Sequence, residues 1–353
     1  MMDDAARIGC EDHVGLWENE LRDWLPDRLF DAHVHIGPPH IVERPTPERF
    51  REALCTFMSM RWETLAHIYS ELFSGKTVQG QFAFPFPQRE VDLHPANGCL
   101  INLAAREPDL AGFLLSHPTD TDATISDYQR AQAAGVRVAG IKPYADRLGK
   151  SNFDATMPEF IPDALLEFMA SERLIMMLHT AGIGVGDKAC RDYLRTTSQR
   201  HPDVRIILAH MGRYTCPDQF TSLMESGLLE HAPSLYLEMS SVTSQAVYEQ
   251  VLRKPELRKR LLFGTDLPFG LITGVERWSD THGAVFLTRD DYTWSDHEMN
   301  AEFAEERLQL THNTYHVIKA FKDALDAIDL PQGEAETVKH DVFCANALRL
   351  LST

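Results

Sequence analysis

The chain has 353 residues, 44% of them hydrophobic and 24% charged, enough apolar material for one large core. Its net charge of −18 repels phosphates and anionic headgroups, which excludes nucleic acid and membrane surfaces as general partners. No apolar run is long enough to cross a bilayer, and the acidic start MMDDAARIGCEDH lacks the apolar stretch of a signal peptide. Cys10, Cys55, Cys99, Cys190, Cys216 and Cys344 form no CxxC pair and read as reduced thiols of a cytoplasmic protein.

Residues 1–28 read as a helical extension (HVGLWENELRDWL). The first strand is expected at 29–35 (LFDAHVH), followed by a long insertion, 36–75, whose second half has a helical pattern. Further strands are expected at 78–84 (VQGQFAF), 112–117 (GFLLSH), 136–142 (VRVAGIK), 174–179 (LIMMLH), 204–210 (VRIILAH), 234–239 (SLYLEM) and 261–266 (LLFGTD). Runs this apolar belong to parallel strands covered on both faces. Amphipathic helices are expected between them at 93–106, 122–134, 158–171, 188–200, 218–228 and 244–254. A second insertion, 267–304, carries Trp278 and Trp294. Two closing helices, 308–327 and 334–351, are placed against the barrel wall.

Strand alternating with helix, eight times, predicts an α/β fold: a (β/α)8 TIM barrel forming a single domain over 1–353. The competing open doubly wound sheet lacks a GxGxxG or GxxxxGK[ST] after its first strand. The insertions 36–75 and 267–304 leave the ends of strands where a barrel builds its active site, as lids, as contacts of a homodimer or simply as cover for the barrel top.

Polar residues fall at the ends of these apolar runs. His33 and His35 end the first, Lys142 the fourth, His179 the fifth, His210 the sixth and Asp266 the eighth. Two histidines two apart on a strand point the same way, and neutral imidazole is a good ligand for a divalent metal. His179 and Asp266 supply ligands from across the barrel. Each has a bland alternative: an incidental HxH, a satisfied rim histidine, an aspartate capping the next helix. Four ionisable groups converging in one fold are costly to bury without partners, and a metal removes that cost.

The segments DAHVHIG, LHTAG, LAHMGR and FGTDLPFG, in this order on these strands, resemble the amidohydrolase superfamily. Within it they resemble the amidohydrolase-2 branch of TIM-barrel fold metal-dependent hydrolases and carboxymuconate-semialdehyde decarboxylase-like enzymes, and the closing VFCANALRLL is similar to that branch's last helix. The resemblance implies His33, His35 and His179 as metal ligands, with Asp266 as ligand to the metal or its water and as general base. It implies that His210 orients or polarises water or substrate in a one-metal site, or holds a second metal. The resemblance places Lys142 where two-metal relatives carry a carboxylated bridging lysine and where the lysine of one-metal members faces substrate or packs; one metal is the reading taken here. The ligand set accepts zinc, taken first, and also manganese or iron.

The expected reaction is hydrolysis of an amide, ester or lactone of a small carboxylated substrate, with water activated on the metal. Non-oxidative decarboxylation uses the same ligands and remains the alternative. A complete ligand set argues against a non-catalytic binding barrel, and a Schiff-base aldolase at Lys142 leaves the three histidines and the aspartate unexplained. Arg213, Arg147 and Arg89 are candidates to meet a substrate carboxylate. Glu238 and His117 end strands seven and three, as ligand-facing groups or as loop-bonded ones. His40, His94, His282, His297, His312, His316 and His340 show no metal spacing.

Overall fold

Each apolar run becomes a strand of one parallel sheet. In the computed structural model, which describes residues 9–37, 46–49, 60–214, 216–279, 281, 283–292, 295 and 297–352, the strands pair in sequence order. They are β1 (Arg28–His35), β2 (Thr77–Phe84), β3 (Leu110–Leu115), β4 (Val138–Lys142), β5 (Ile175–Leu178), β6 (Arg205–Leu208), β7 (Leu235–Glu238) and β8 (Leu261–Leu262). The ring closes where the chain beyond β8 returns to β1. Ala32 N–H donates to the Phe263 carbonyl at 2.8 Å, Asp266 N–H to His33 at 2.8 Å and His35 N–H to Leu267 at 2.8 Å. The expected TIM barrel is therefore the fold.

Helices cover the outside: α1 (Trp62–Leu72), α2 (Leu93–Ala104), α3 (Thr121–Ala133), α4 (Asp163–Glu172), α5 (Lys188–Arg200), α6 (Pro217–Glu225), α7 (Gln245–Leu252) and α8 (Asn313–Ala327). The helix expected over 158–171 divides, because Pro162 sits at the N-cap of α4 and separates it from Met157–Phe160. The one expected over 218–228 stops before Gly227, which is left-handed at φ 68°. No described helix is long and apolar enough to cross a membrane. Residues 1–8, 38–45 and 50–59, with Cys55 and His40, lie outside the described residues, as do His282 and Trp294.

Inside the barrel, Phe30, Phe82, Phe84, Phe113, Met177, Ile207 and Leu262 form a packed column of side chains, which makes the barrel a core rather than a pore. The end of the chain differs from expectation. Instead of lying on the wall, α10 (Asn346–Ser352), which follows α9 (Gln332–His340), plugs the N-terminal end of the barrel. Ala347 and Leu350 join the interior column, and Arg205 and Arg137 donate to the carbonyls of Leu350 and Leu351 at 2.7 and 2.9 Å. With the bottom closed by apolar packing, the mouth is the end open to chemistry.

Candidate metal centre at the barrel mouth

The first strand changes parity on its way to the mouth. Leu29 packs outward with the helices and Phe30 and Ala32 pack inward, so plain alternation would turn His33 away from the interior. A register irregularity between Asp31 and Val34 shifts the pattern, and Val34 becomes the outward residue. Bulges re-aim side chains in this way. Asp31 locks the irregularity from outside, accepting hydrogen bonds from Thr265 N–H (2.9 Å), Thr265 Oγ1 (2.6 Å), His33 N–H (3.1 Å) and Tyr69 OH (2.8 Å).

The seam this creates sets His33 and Asp266 side by side. The Nε2 atoms of His33 and His35 lie 3.1 and 3.0 Å from Asp266 Oδ1. These contacts lack hydrogen-bond angles, for Asp266 Oδ1 is buried with no hydrogen-bond partner. His210 Nε2 stands 4.0 Å from Asp266 Oδ2. Among the described residues, His33, His210 and Asp266 are the group whose donor atoms lie mutually close enough to hold one ion, all within 4.8 Å. His35 reaches this trio through Asp266, and His179 borders it with its ring centroid 5.4 Å from that of His210. His179 Nδ1 and His35 Nδ1 are buried without partners. Imidazole nitrogens and a carboxylate oxygen, close together and unsatisfied, are the donor set a zinc, manganese or iron ion requires, so these residues fit such a cation.

Electrostatics favour the metal-binding forms of the side chains. Burial drives His35 down to about 4, and burial with Arg213 and His210 nearby drives His179 well below the usual imidazole range. Burial also lowers His210, against the pull of Asp266. These three rings are held neutral, as a cation needs, whereas at His33 burial is outweighed by Asp266 and Glu238 together, which raise its pKa. Burial would raise Asp266, but His33, His35 and His210 outweigh it and hold the carboxylate ionised.

Glu238, at the end of β7, is fully buried and oriented toward the site. Its Oε2 lies 3.0 Å from His33 Nδ1 and accepts from Ser240 Oγ (2.8 Å) and His210 N–H (3.2 Å), while Oε1 accepts from Ser240 N–H (2.6 Å). A carboxylate on Nδ1 fixes the tautomer that leaves Nε2 free, the arrangement found behind metal-binding histidines. The polar end of an apolar strand was its signal in the sequence, but the partner, 205 residues away, was not visible there. Gly264 makes the pair fit: a Cβ at this position would come 2.3 Å from Glu238 Oε1 and 2.9 Å from His33 Cβ. The His210 ring is held by the Ser240 carbonyl, 3.0 Å from Nδ1. Nδ1 therefore carries the proton, and Nε2 presents a lone pair toward Asp266.

Lys142 is buried, with Nζ 4.7 Å above the ring centroid of Phe84. Burial lowers its pKa to about 8, opposed by Asp266 and Glu238. A cavity of about 530 Å³ opens beside this candidate metal centre, lined by His179, His210 and Arg213 at one end. Its other wall is a hairpin from the insertion 267–304, β9 (Gly274–Ser279) and β10 (Gly283–Thr288). Volumes of this size suit small molecules. Arg213 is fixed by Nη1 donating to the carbonyls of Thr180 (2.8 Å) and Gly182 (3.2 Å).

The other two arginines expected over the mouth are not among the residues lining this cavity. Arg147 Nη1 donates to the carbonyls of Gln88 and Val91, bracing the loop after β2, and Arg89 lies 3.3 Å from Glu90. From the first insertion, Arg49 pairs with Glu90 and Asp146 at 2.7 and 2.6 Å, tying 46–49 to the loops after β2 and β4. His117 bonds locally to Thr119, as a rim histidine does.

Comparison with known proteins agrees with this fold. The family model for amidohydrolases matches residues 30–353. No curated protein sequence matches the chain. Among solved structures it is similar to 4-oxalomesaconate hydratase from Rhodopseudomonas palustris, at 13% identity and TM-score 0.53, covering 92% of this chain and 95% of that one. A dihydroxybenzoic acid decarboxylase from Polaromonas sp. JS666, with bound manganese and the inhibitor 2-nitroresorcinol, is 12% identical at TM-score 0.54, with 93% and 97% covered. A putative 2-pyrone-4,6-dicarboxylic acid hydrolase from Pseudomonas putida is 14% identical at TM-score 0.52, with 93% and 98% covered. At these identities the structures share the fold, and their differing reactions show how many chemistries it supports. With the family model running from Phe30 in β1 to the end of the chain, the protein belongs to the amidohydrolase family.

Proposed function

We propose that the protein is a metal-dependent hydrolase that cleaves an amide, ester or lactone of a small, carboxylated substrate. The observation that carries this reading is the unsatisfied Asp266 Oδ1, with two imidazole nitrogens 3.0 and 3.1 Å away and no hydrogen bond. His33, His35, His179 and Asp266 would hold one divalent cation, zinc first. When bound, such a cation polarises a carbonyl and acidifies water. Asp266, ionised, is placed to take the proton of the attacking water and to return it to the leaving group. His210, with its lone pair on Nε2, accepts or relays a proton on the cavity side. Arg213 offers its guanidinium to the substrate carboxylate. With Nζ over Phe84, Lys142 is read as a packed neighbour, and the centre as mononuclear.

A second reading is decarboxylation. His35 is packed by Phe84, Phe86 and Phe269, at ring centroids of 4.8, 5.2 and 5.6 Å. These apolar walls disfavour a carboxylate's charge, which disperses as CO2 departs. The test is metal analysis of the purified protein, followed by parallel assays of hydrolysis and of CO2 release on carboxylated esters, lactones, amides and aryl acids. Hydrolysis that disappears on chelation and returns with zinc or manganese is expected. Turnover indifferent to the chelator would overturn the metal-dependent reading, and CO2 release without hydrolysis would select the second.

A further inference from the structure

The hairpin gives the cavity a second, charged end that the chemistry above does not use. Register pairs Glu276 with Phe286 and Trp278 with Ala284, so these four stand on one face of the hairpin. The opposite face is already occupied: Val275 and Leu287 pack on Leu310, and Arg277 pairs with Glu306. Glu276, Trp278, Ala284 and Phe286 all line the cavity, and Arg277 and Val285 of the other face reach it as well. Among the described residues, Glu276 forms no ion pair and no side-chain hydrogen bond, and Arg213 across the cavity lies beyond ion-pair distance. Its side chain is open to the cavity. Phe153, Ile183 and Trp278, at 62%, 40% and 49% exposure, are three of the five most exposed large apolar side chains described, and all three line this cavity.

An unpaired carboxylate next to an exposed indole is a receptor for a cation, since the carboxylate supplies charge and the ring faces supply cation–π attraction. Resting on the reading that the metal end and Arg213 take an anionic group, we infer that Glu276 and Trp278 form a subsite for a substrate ammonium. The preferred ligand then carries a carboxylate at one end and a protonated amine at the other, separated by an apolar stretch that lies along Phe153 and Ile183. Glu276 is a specificity residue, remote from the reacting atoms.

The experiment is calorimetric titration of the metal-loaded protein with ω-amino acids of increasing chain length, each beside the alkanoate of equal length. At the best length the amino acid is expected to bind about tenfold more tightly than its alkanoate, as one partly screened charge contact allows. In Glu276→Gln the two should become equal, with alkanoate affinity kept within about twofold, which also shows that the variant is folded. Equal binding of both series to the wild type overturns the inference, as does a preference that survives in Glu276→Gln or the failure of both series to bind. If Glu276→Gln weakens both series alike, the carboxylate acts by positioning Arg213 and the ammonium subsite is refuted. Metal content, measured on the same samples, separates these outcomes from failure of the metal-dependent reading.

Discussion

Replacing Glu238 by Gln isolates what lies behind the metal centre. The carboxylate accepts from four groups: His33 Nδ1, His210 N–H and Ser240 Oγ on Oε2, and Ser240 N–H on Oε1. An amide keeps the shape but has one acceptor. In its better orientation the oxygen serves the first three, and the NH2 then faces Ser240 N–H, donor against donor. One buried unsatisfied N–H costs about 1–3 kcal/mol, so the metal-free variant should unfold at lower urea by that amount. The same change removes the negative charge from His33 Nδ1, and loss of such a partner weakens metal binding about 10–100-fold. Zinc competition against a chromogenic chelator reads the second effect, and urea unfolding of the chelated protein the first. Zinc affinity within twofold of wild type would refute the assignment of Glu238 as the group that orients His33, whatever the stability.

Gly264→Ala pushes a methyl toward Glu238 Oε1, 2.3 Å away; overpacking of about 1–3 kcal/mol and a matching loss of zinc affinity are expected in the same two assays. Lys142→Met, similar in volume, should keep close to one metal per chain by elemental analysis, whereas a fall from two metals to one would establish the bridged centre. Asp266 adopts φ 56°, which Asn tolerates, so Asp266→Asn should fold like the wild type by circular dichroism yet lose turnover at least 100-fold. His316 is held down to about 4, chiefly by burial and then by Arg277, while its Nε2 accepts from Thr311 N–H at 3.0 Å. The unfolded chain takes up this proton first, so stability is present above pH 6.5 and is lost as pH falls toward 4, by up to about 3 kcal/mol. Urea midpoints of His316→Gln should fall less over that window than those of the wild type.

The eight strands were legible because parallel strands covered on both faces read as short runs rich in apolar residues. Their ends were less so. β5, β6 and β8 stop at Leu178, Leu208 and Leu262, and His179, His210 and Asp266 sit beyond them in turns whose geometry depends on neighbours far along the chain. The His33–His35 pair was visible, but its inward aim was not: alternation from Phe30 and Ala32 gives the wrong face, and the bulge that corrects it is secured by Thr265 and Tyr69, distant residues. Arg147 and Arg213 looked equivalent in sequence. Only backbone carbonyls brought near by folding engage the first in a loop and leave the second on the cavity. The hairpin did carry a signal, two runs rich in Val, Trp, Phe and Thr around a turn with Gly283, but it is weaker than the barrel strands because half of each run faces solvent or the cavity.

The backbone at the mouth explains why the donors lie in turns at all. Seven non-glycine residues among those described have φ between 50° and 63°, and five of them, His210, Met211, Arg213, Ser241 and Asp266, follow β6, β7 and β8 at this end. Left-handed backbone at such residues costs on the order of 1–3 kcal/mol each and persists only where the surroundings over-determine it. Here they do: Asp266 N–H is bonded to the His33 carbonyl, Arg213 N–H to that of His210 at 2.9 Å, and the Arg213 carbonyl accepts from Val185 N–H at 3.0 Å. A strand can present a side chain only above or below the sheet. A left-handed residue just past the strand turns it inward across the mouth, so histidines from different staves and one aspartate can face a common point. The stability of the closed barrel holds that unfavourable backbone in place, which ties the integrity of the β1–β8 seam directly to the geometry available for a metal.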